Sequence, residues 1–304
     1  MNPCVYTVLF GQYEQLNEQP VAEHSDWPFI CFTDDPHLTS ETWQIRLIPP
    51  LFPADLPRSQ RHIKLLAHRA LPDHDVSLYM DNSVLLKVPP EDILARWPLE
   101  SGLTLSTHSF RETVLDEFLE VLRLGYDDQA RLLEQLNHVQ WHHPDLLAAK
   151  PMWSGVMLRR HHEPKVAAAM ELWFQHVLRY SRRDQLSSNL AFAQSQLKPD
   201  LVEESNLSTW FHSWPHTKGR DRSLPAFNPQ TLQLPGLARL RQSELALVQC
   251  EANLAHCRAE SLAAARAHDE ATQSHQAVLK ALEDEKAKRM KREWFTVPKP
   301  KFLR

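Results

Sequence analysis

Over its first two thirds the chain alternates short β-branched or aromatic runs with helical segments, and this alternation narrows the choice of fold more than any other feature. CVYTVLFG (4–11), PFICFTD (28–34) and WQIRLIP (43–49) read as strands, brief and bounded by breakers. PRSQRHIKLLAHRAL (57–71) opens on proline and spaces Ile63, Leu66 and Ala70 at helical intervals, which predicts a helix. VSLYMD (76–81) and VLLKV (84–88) read as strands, PEDILARW (90–97) as a short helix and LTLSTH (103–108) as a strand. RETVLDEFLEVLRLG (111–125) and DDQARLLEQLNHV (127–139) are amphipathic helices, the first closed by Gly125. MWSGVMLRR (152–160) is a strand, PKVAAAMELWFQHVLRY (164–180) a long helix, and another helix begins near Arg183. Strands in alternation with helices imply a mixed, mostly parallel α/β sheet flanked by helices.

Around residues 213–236 the pattern gives way to a proline- and turn-rich stretch that reads as an arm or linker. Beyond it there is no proline until Pro298. Leu240, Leu247, Leu254 and Leu282 share one heptad position. Ser243, Cys250, Cys257, Ala264, Ala271 and Val278 share the position three residues later, and Ser261, His268 and His275 interrupt the seam. A helix of this span is ~80 Å long and cannot bury its stripe alone. It reads as a coiled coil joining copies of the chain; a long solvated helix is the alternative. The end, KAKRMKREWFTVPKPKFLR (286–304), mixes basic residues with Trp294, Phe295 and Phe302. That composition suits either a surface-bound membrane segment or a solvated terminus. The expected organisation is a catalytic or binding domain over 1–215, an arm over 216–236, a coiled-coil helix over 237–293 and a basic-aromatic tail over 294–304.

Composition removes several function classes. With 304 residues a sizeable core is available, and a net charge of -4 is too near neutral to argue for nucleic acid. Only six glycines occur, with no GxGxxG and no GxxxxGK[ST], so phosphate-cradling glycine loops are excluded. The four cysteines form no CxxC, and Cys4 and Cys31 fall in apolar runs, which fits a reducing cytoplasm. MNPCVYTVLF lacks the basic region of a signal peptide, and no apolar run nears the ~20 residues of a membrane span. The expected location is cytoplasmic, with peripheral contact to the inner membrane face through the tail.

Chemistry enters at SLYMDNSVLL (77–86), where a buried strand ends in a single acid, Asp81. In open α/β sheets ligands sit outside the carboxyl ends of the strands, and an acid there can hold a divalent cation and, through it, a phosphate. Asp-Asn-Ser is equally the composition of a tight turn. Upstream, Arg58, Arg61 and Lys64 lie along one helical face, with His68 and Arg69 a turn further: a phosphate-facing surface or a solvated stripe. Lys218, Arg220 and Arg222 in the arm suit phosphate oxygens. Asp184 after Arg182-Arg183 suits a helix cap as well as a catalytic acid.

Three stretches together carry a family likeness. KLLAHRALPDHDVSLYMDNSVLL (64–86), the opening VYTVLFGQYEQL (5–16) with FICFTDD (29–35), and SRRDQLSSNLAF (181–192) resemble the blocks of a glycosyltransferase-like domain found in plant mucilage and cell-wall proteins and in bacterial surface-polysaccharide loci. The likeness covers roughly residues 3–215. It implies the GT-A fold, a Rossmann-like sheet that binds a nucleotide-diphosphate sugar. It puts Asp81 where one acid of a DxD metal motif belongs, with Ser83 two residues on and Tyr79 two before. Mn2+ or Mg2+ would then need further ligands, for which His212 and His216 are the candidates, or the metal is dispensable. The resemblance further implies donor contacts from Arg58, Arg61, Lys64, His68, Arg69 and Lys218, and a grip on base or ribose by Asp34 and Asp35. Asn82, Ser83, Ser154, Gly155 and Gln185 fall to the sugar, His108 and Arg111 to the acceptor side, and Asp184 to the anomeric carbon. The implied activity is transfer of a sugar, a hexosyl or related group, to a hydroxyl acceptor in surface polysaccharide or glycolipid synthesis. The rival reading is a catalytically silent nucleotide-sugar or glycan-binding scaffold that oligomerises through its C-terminal helix.

Overall fold

Strand β1 (Pro3–Leu9) is buried from Cys4 to Leu9, and a sheet assembles on both of its edges. The computed structural model describes residues 1–220 and 236–296, which belong to two compact units, Met1–Pro235 and Gly236–Arg304. In the first unit β1 pairs in parallel with β2 (Phe29–Thr33) and with β4 (Val76–Met80), and β3 (Gln44–Leu47) extends the sheet beyond β2. On the far side β7 (Met152–Arg159) runs antiparallel between β4 and β6 (Leu103–Thr107), and β8 (Asp200–Val202) closes the edge in parallel with β6. The seven-stranded order β3-β2-β1-β4-β7-β6-β8 is thus mixed and mostly parallel, as expected.

Period-two alternation divides the core. Cys4, Tyr6, Val8, Ile30, Phe32 and Tyr79 face α1 (Leu56–Leu65), α7 (Pro164–Arg179) and α8 (Gln185–Ser195), where Ile63, Leu65, Trp173 and Phe192 meet them. Val5, Leu9, Phe29, Cys31, Leu78 and Met80 face the other way, onto Trp27, Trp43, Phe211 and Ile93 of α3 (Pro90–Arg96). Both sheet faces are covered, which is why the central strands read as unbroken apolar runs.

The helix expected over 57–71 is broken. α1 stops at Leu65, Leu66 turns out with ψ 50°, and a short α2 (Ala67–Ala70) follows. The cause lies in β7. Arg159, fully buried, donates from Nη2 to the Lys64 carbonyl at 2.9 Å and from Nη1 to the Leu65 carbonyl at 3.3 Å, while Tyr6 Oη donates to Lys64 O at 2.7 Å. The carbonyls at the helix end are met by side chains, and the guanidinium sits at the negative pole of the helix dipole.

Other elements differ in detail. α4 (Val114–Leu124) starts later than residue 111, because Thr113 and Asp116 form a reciprocal capping box. α5 (Gln129–His142) is longer than expected and leads into a short α6 (Pro144–Leu147). VLLKV yields only β5 (Leu85–Leu86), paired antiparallel with β9 (His212–Ser213). Residues beyond 215 are tied to this unit: His216 N donates to Ser83 O at 2.7 Å, Gln15 N to Lys218 O at 2.9 Å, and Arg220 pairs with buried Glu14.

The described residues of the second unit form one helix, α9 (Gly236–Thr296), about 90 Å long. Leu240, Leu247, Leu254, Val278 and Leu282 are exposed along it, as are the free thiols of Cys250 and Cys257. Arg222, most of the arm at 216–236 and the tail beyond Thr296 lie outside the described residues. No described helix is long and apolar enough to cross a membrane.

His161, at the end of β7, is 1 % exposed, with Nδ1 3.0 Å from Ser77 Oγ and Nε2 3.3 Å from Leu71 O. Burial, then Arg159 and His162, pushes it down to about 4. The unfolded chain, with its histidine near the ordinary ~6.5, therefore binds this proton more readily. The contribution of His161 to stability is complete above pH ~6.5 and is lost as the pH falls toward 4, by roughly 3 kcal/mol. Denaturant unfolding followed between these limits should show that slope, and His161→Gln should reduce it by about one proton.

Candidate active site

Four charged side chains from three distant parts of the sequence meet at the carboxyl edge of the parallel strands. α1 supplies Arg61 and Lys64. Asp81 follows β4, and Asp184 begins α8. Lys64 Nζ lies 2.7 Å from Asp184 Oδ2 and 3.5 Å from Asp81 Oδ1. It also donates to Ser154 Oγ at 3.0 Å and rests 4.9 Å above the Tyr79 ring. Arg61 Nε donates to the other Asp184 oxygen at 2.9 Å, and Ser154 Oγ donates to Oδ2 at 3.0 Å. The lysine is 1 % and Asp184 2 % exposed, whereas the Asp81 side chain keeps 36 % of its surface open. The set therefore has a dry floor and one half-exposed acid at its rim.

Asp184 does not act as a cap. Its carboxylate makes no bond to its own helix, and its backbone carbonyl accepts from Trp173 Nε1 at 2.7 Å. Burial alone would raise its carboxyl, but Arg61 and Lys64 outweigh that and hold it far below the usual range. Asp81 opens a turn, with Val84 N donating to its carbonyl at 2.9 Å and its own N–H donating to Gly155 O at 2.8 Å. The turn expected of Asp-Asn-Ser is present, and the Asp81 carboxylate stands at the rim of the charged set. Tyr79, two residues earlier on the same face, donates to Asp81 Oδ1 at 2.6 Å. Burial first, then Asp81, pushes that phenol well up, so it stays a donor.

The remaining candidates divide. Arg58 is drawn to the end of α7, donating to Val177 O at 2.9 Å and Tyr180 O at 2.6 Å and pairing with Asp55. His68 and Arg69 both meet Glu171 of α7, at 2.8 and 2.5 Å. The expected basic face is thus divided, Arg58 at the start of α1 and His68 and Arg69 beyond the break all turning to α7, and Arg61 and Lys64 reach the acids. Asn82 is 4 % exposed and committed to the loop over 14–17: its oxygen accepts from Asn17 N, and its amide donates to Glu14 and Gln15 O. Ser83 Oγ accepts from Trp214 Nε1 at 3.1 Å. Gly155 makes room for a neighbour: a Cβ there would lie 2.3 Å from the Trp153 ring. Asp34 ties two strand ends together by accepting from Gly11 N at 2.9 Å, and Asp35 turns onto His37 N. Gln185 accepts from Arg183 Nη2 at 3.1 Å.

His108 and Arg111 belong to a second cluster, built on Glu117 of α4. Glu117 Oε2 is 3.4 Å from Arg111 Nε and 3.8 Å from His108 Nε2. Burial pushes Glu117 up against the pull of Arg183 and Arg111, and it pushes His108 down to about 4, aided by Arg111. Asp184 and Arg183 both act on Glu117, so the two clusters adjoin. Glu117 escaped the sequence reading although it falls on the apolar stripe of Val114, Phe118 and Val121, where an acid is out of place.

The donor set does not fit a ready-made divalent-cation site. Among the described residues no three His, Cys, Asp or Glu side chains gather around one point. His212, which the resemblance offered as a ligand, is 1 % exposed and has both ring nitrogens engaged, Nε2 3.1 Å from Asn206 O and Nδ1 2.8 Å from Thr209 Oγ1. His216 lies beside the Asp81 turn but turns Nε2 onto Ser213 Oγ at 2.8 Å. Asp81 Oδ1 faces the Tyr79 hydroxyl and an ammonium. A hard cation asks for several free oxygens, and one carboxylate oxygen remains.

Removing Asp184 takes the carboxylate from part-buried Arg61 and leaves buried Lys64 only the longer contact to Asp81 at 3.5 Å. Asp184→Ala should cost roughly 3–5 kcal/mol in denaturant unfolding, and Asp184→Asn, which keeps shape and an acceptor oxygen, distinctly less.

The chain is 31% identical over 153 residues to "Probable hexosyltransferase MUCI70" of Arabidopsis thaliana, covering 48% of this chain and 26% of that protein. It therefore spans about a quarter of that relative's length. Among solved structures, mouse xyloside xylosyltransferase 1 in its apo form aligns with a TM-score of 0.39 at 9% identity, over 67% of this chain and 85% of that one. The apo structure of WbbM, a bifunctional glycosyltransferase, aligns with a TM-score of 0.33 at 10% identity, over 66% and 46%. Both structural likenesses are faint. The sequence profile of the TOD1/MUCI70, glycosyltransferase-like domain matches residues 30–210, which contain β3 through β8, all of β2 but Phe29 and all four charged residues of the site, and the chain belongs to that family.

Proposed function

We propose that the first unit is a nucleotide-sugar-dependent glycosyltransferase, moving a hexosyl or related group from a nucleotide diphosphate to a hydroxyl of a surface polysaccharide or glycolipid. Family membership supports the class. The observation that carries the reading is the Asp184 carboxylate, dry and held ionised by Arg61 and Lys64 at the carboxyl edge of the sheet, beside half-exposed Asp81. In the reaction the bond from the anomeric carbon to the phosphate oxygen breaks and its electron pair leaves with the diphosphate. The acceptor oxygen bonds to that carbon and its proton is released. Charge grows on the leaving group, and preorganised charge facing it is the largest catalytic aid a site offers.

Lys64 and Arg61 supply fixed positive charge, and exposed Lys218, two residues past His216, supplies it from the arm. Asp184, too weak a base to take a proton at neutral pH, orients the sugar. Asp81 and Ser154 complete the donor side. His108, Arg111 and Glu117 are assigned to the acceptor. We assign the protein to the cytoplasm, with the tail on the inner membrane face, from cysteine usage and tail composition.

A panel of nucleotide sugars screened by thermal shift should contain at least one donor that stabilises the chain. With that donor, Asp81→Asn and Asp184→Asn should each lower turnover on the order of 10²–10³-fold. Turnover unchanged in both removes the residue assignment. A silent binding scaffold is the second reading, favoured by one observation: each contact of Lys64 and both oxygens of Asp184 already have protein partners. Donor binding without any turnover would select it.

The heptad seam of α9 is assigned to self-association of the chain. Light scattering on the full chain should report a dimer or larger assembly, and Leu247→Lys with Leu254→Lys should shift it toward the monomer.

A further inference from the structure

We infer that Lys64 is the resident cation of this site and that the site holds the donor without a divalent metal. The inference takes from the transferase reading only the use to which the charge is put.

Strand periodicity puts positions 79 and 81 on the same face. Where a paired-acid motif would bring a second carboxylate, the chain brings Tyr79, whose hydroxyl donates to Asp81 Oδ1 at 2.6 Å. The ammonium of Lys64 then spans the two acids, 2.7 Å from Asp184 Oδ2 and 3.5 Å from Asp81 Oδ1, as a bound cation would. Arg61 and Lys64 balance Asp81 and Asp184, so the set is neutral as built. A divalent ion at Asp81 would add two positive charges to a balanced set, close to an ammonium.

The lysine has nowhere to retreat. It is 1 % exposed, its carbonyl is held by Tyr6 and Arg159, and Ser154 takes one of its N–H groups. Trp173, which fixes the Asp184 carbonyl, holds the opposite side of the pair. A fixed ammonium beneath the rim acid gives a developing diphosphate its positive field without an exchangeable ion.

The test needs no substrate. Mn2+ is titrated into the full chain and followed by the electron paramagnetic resonance signal of the free ion. The native protein should leave that signal unchanged. Lys64→Met, which leaves Asp81 and Asp184 beside a vacated cation position, should deplete that signal by taking up about one Mn2+ per chain. Circular dichroism checks its folding. Should it not fold, Lys64→Gln, which removes the charge and keeps a donor for Asp184, carries the same expectation. One-to-one uptake by the native protein that Asp81→Asn abolishes overturns the inference, as does a folded variant with no gain. In a second arm the thermal shift with UDP-hexoses is compared in EDTA and in Mn2+. Stabilisation that survives EDTA supports the inference, and stabilisation only with Mn2+ overturns it. If no donor stabilises the chain in either, the transferase reading fails while the Mn2+ titration still decides this one.

Discussion

The pairing of Lys64 with Asp184 is the interaction on which the rest of the site depends. Two opposite charges this deeply buried attract by several kcal/mol at the effective dielectric of a protein interior, and each loses hydration of similar size. Such a pair is therefore a weak source of net stability and a strong source of geometry. Everything around it serves that geometry. Arg61 takes the second oxygen of Asp184, Ser154 bonds to both partners, and Trp173 fixes the carbonyl behind the acid. Remove Asp184 and Lys64 is left with the longer contact to Asp81; remove Lys64 and Asp184 keeps Arg61 as its counter-charge.

How a lysine comes to sit on a dry floor is explained by the helix break. Had α1 run on to residue 71, the carbonyls of Lys64 and Leu65 would have served their own helix. Arg159 and Tyr6 take them instead, from β7 and β1, so the last turn of α1 is held by the sheet and not by continued helix. Among the described residues no carboxylate pairs with Arg159; the helix end and the Tyr6 ring receive its charge. The same break sends His68 and Arg69 away to Glu171. The backbone irregularity thus parts His68 and Arg69 from Arg61 and Lys64, while Arg58, at the start of α1, reaches the end of α7 without it.

What the sequence made legible, and what it hid, follow from the range of the interactions. Strands β1, β2, β4 and β7 could be read because burial on both faces leaves an apolar run that needs no knowledge of its neighbours. Asp81 was legible as the one acid ending such a run, and Asp184 from the block around it. The break at Leu66 was not, since its cause lies in Arg159, 95 residues from Lys64. Nor was the fate of Asn82, which looked like a ligand residue and is committed to a loop 65 residues upstream. β5 and β9 are two-residue strands that exist only because they find each other. Glu117 carried a readable sign, an acid on an apolar stripe, and a scan for buried-face charges would have found it.

The two units differ in what maintains them. α9 is a run of good helix formers without proline or interior glycine, so its backbone bonds are satisfied locally and its stability grows with length. The site has no such independence. Lys64 meets Ser154 across 90 residues, and Arg61 meets Asp184 across 123. No fragment smaller than the whole sheet brings these groups together, and each contact closes a loop whose entropy only cooperative packing repays. The charged set consequently appears all at once with the fold. A core substitution behind it, at Trp173 or Arg159, acts on the site through the hydrogen bonds that hold the Asp184 and Lys64 carbonyls. Global stability and the alignment of the charged groups are, in this unit, one property.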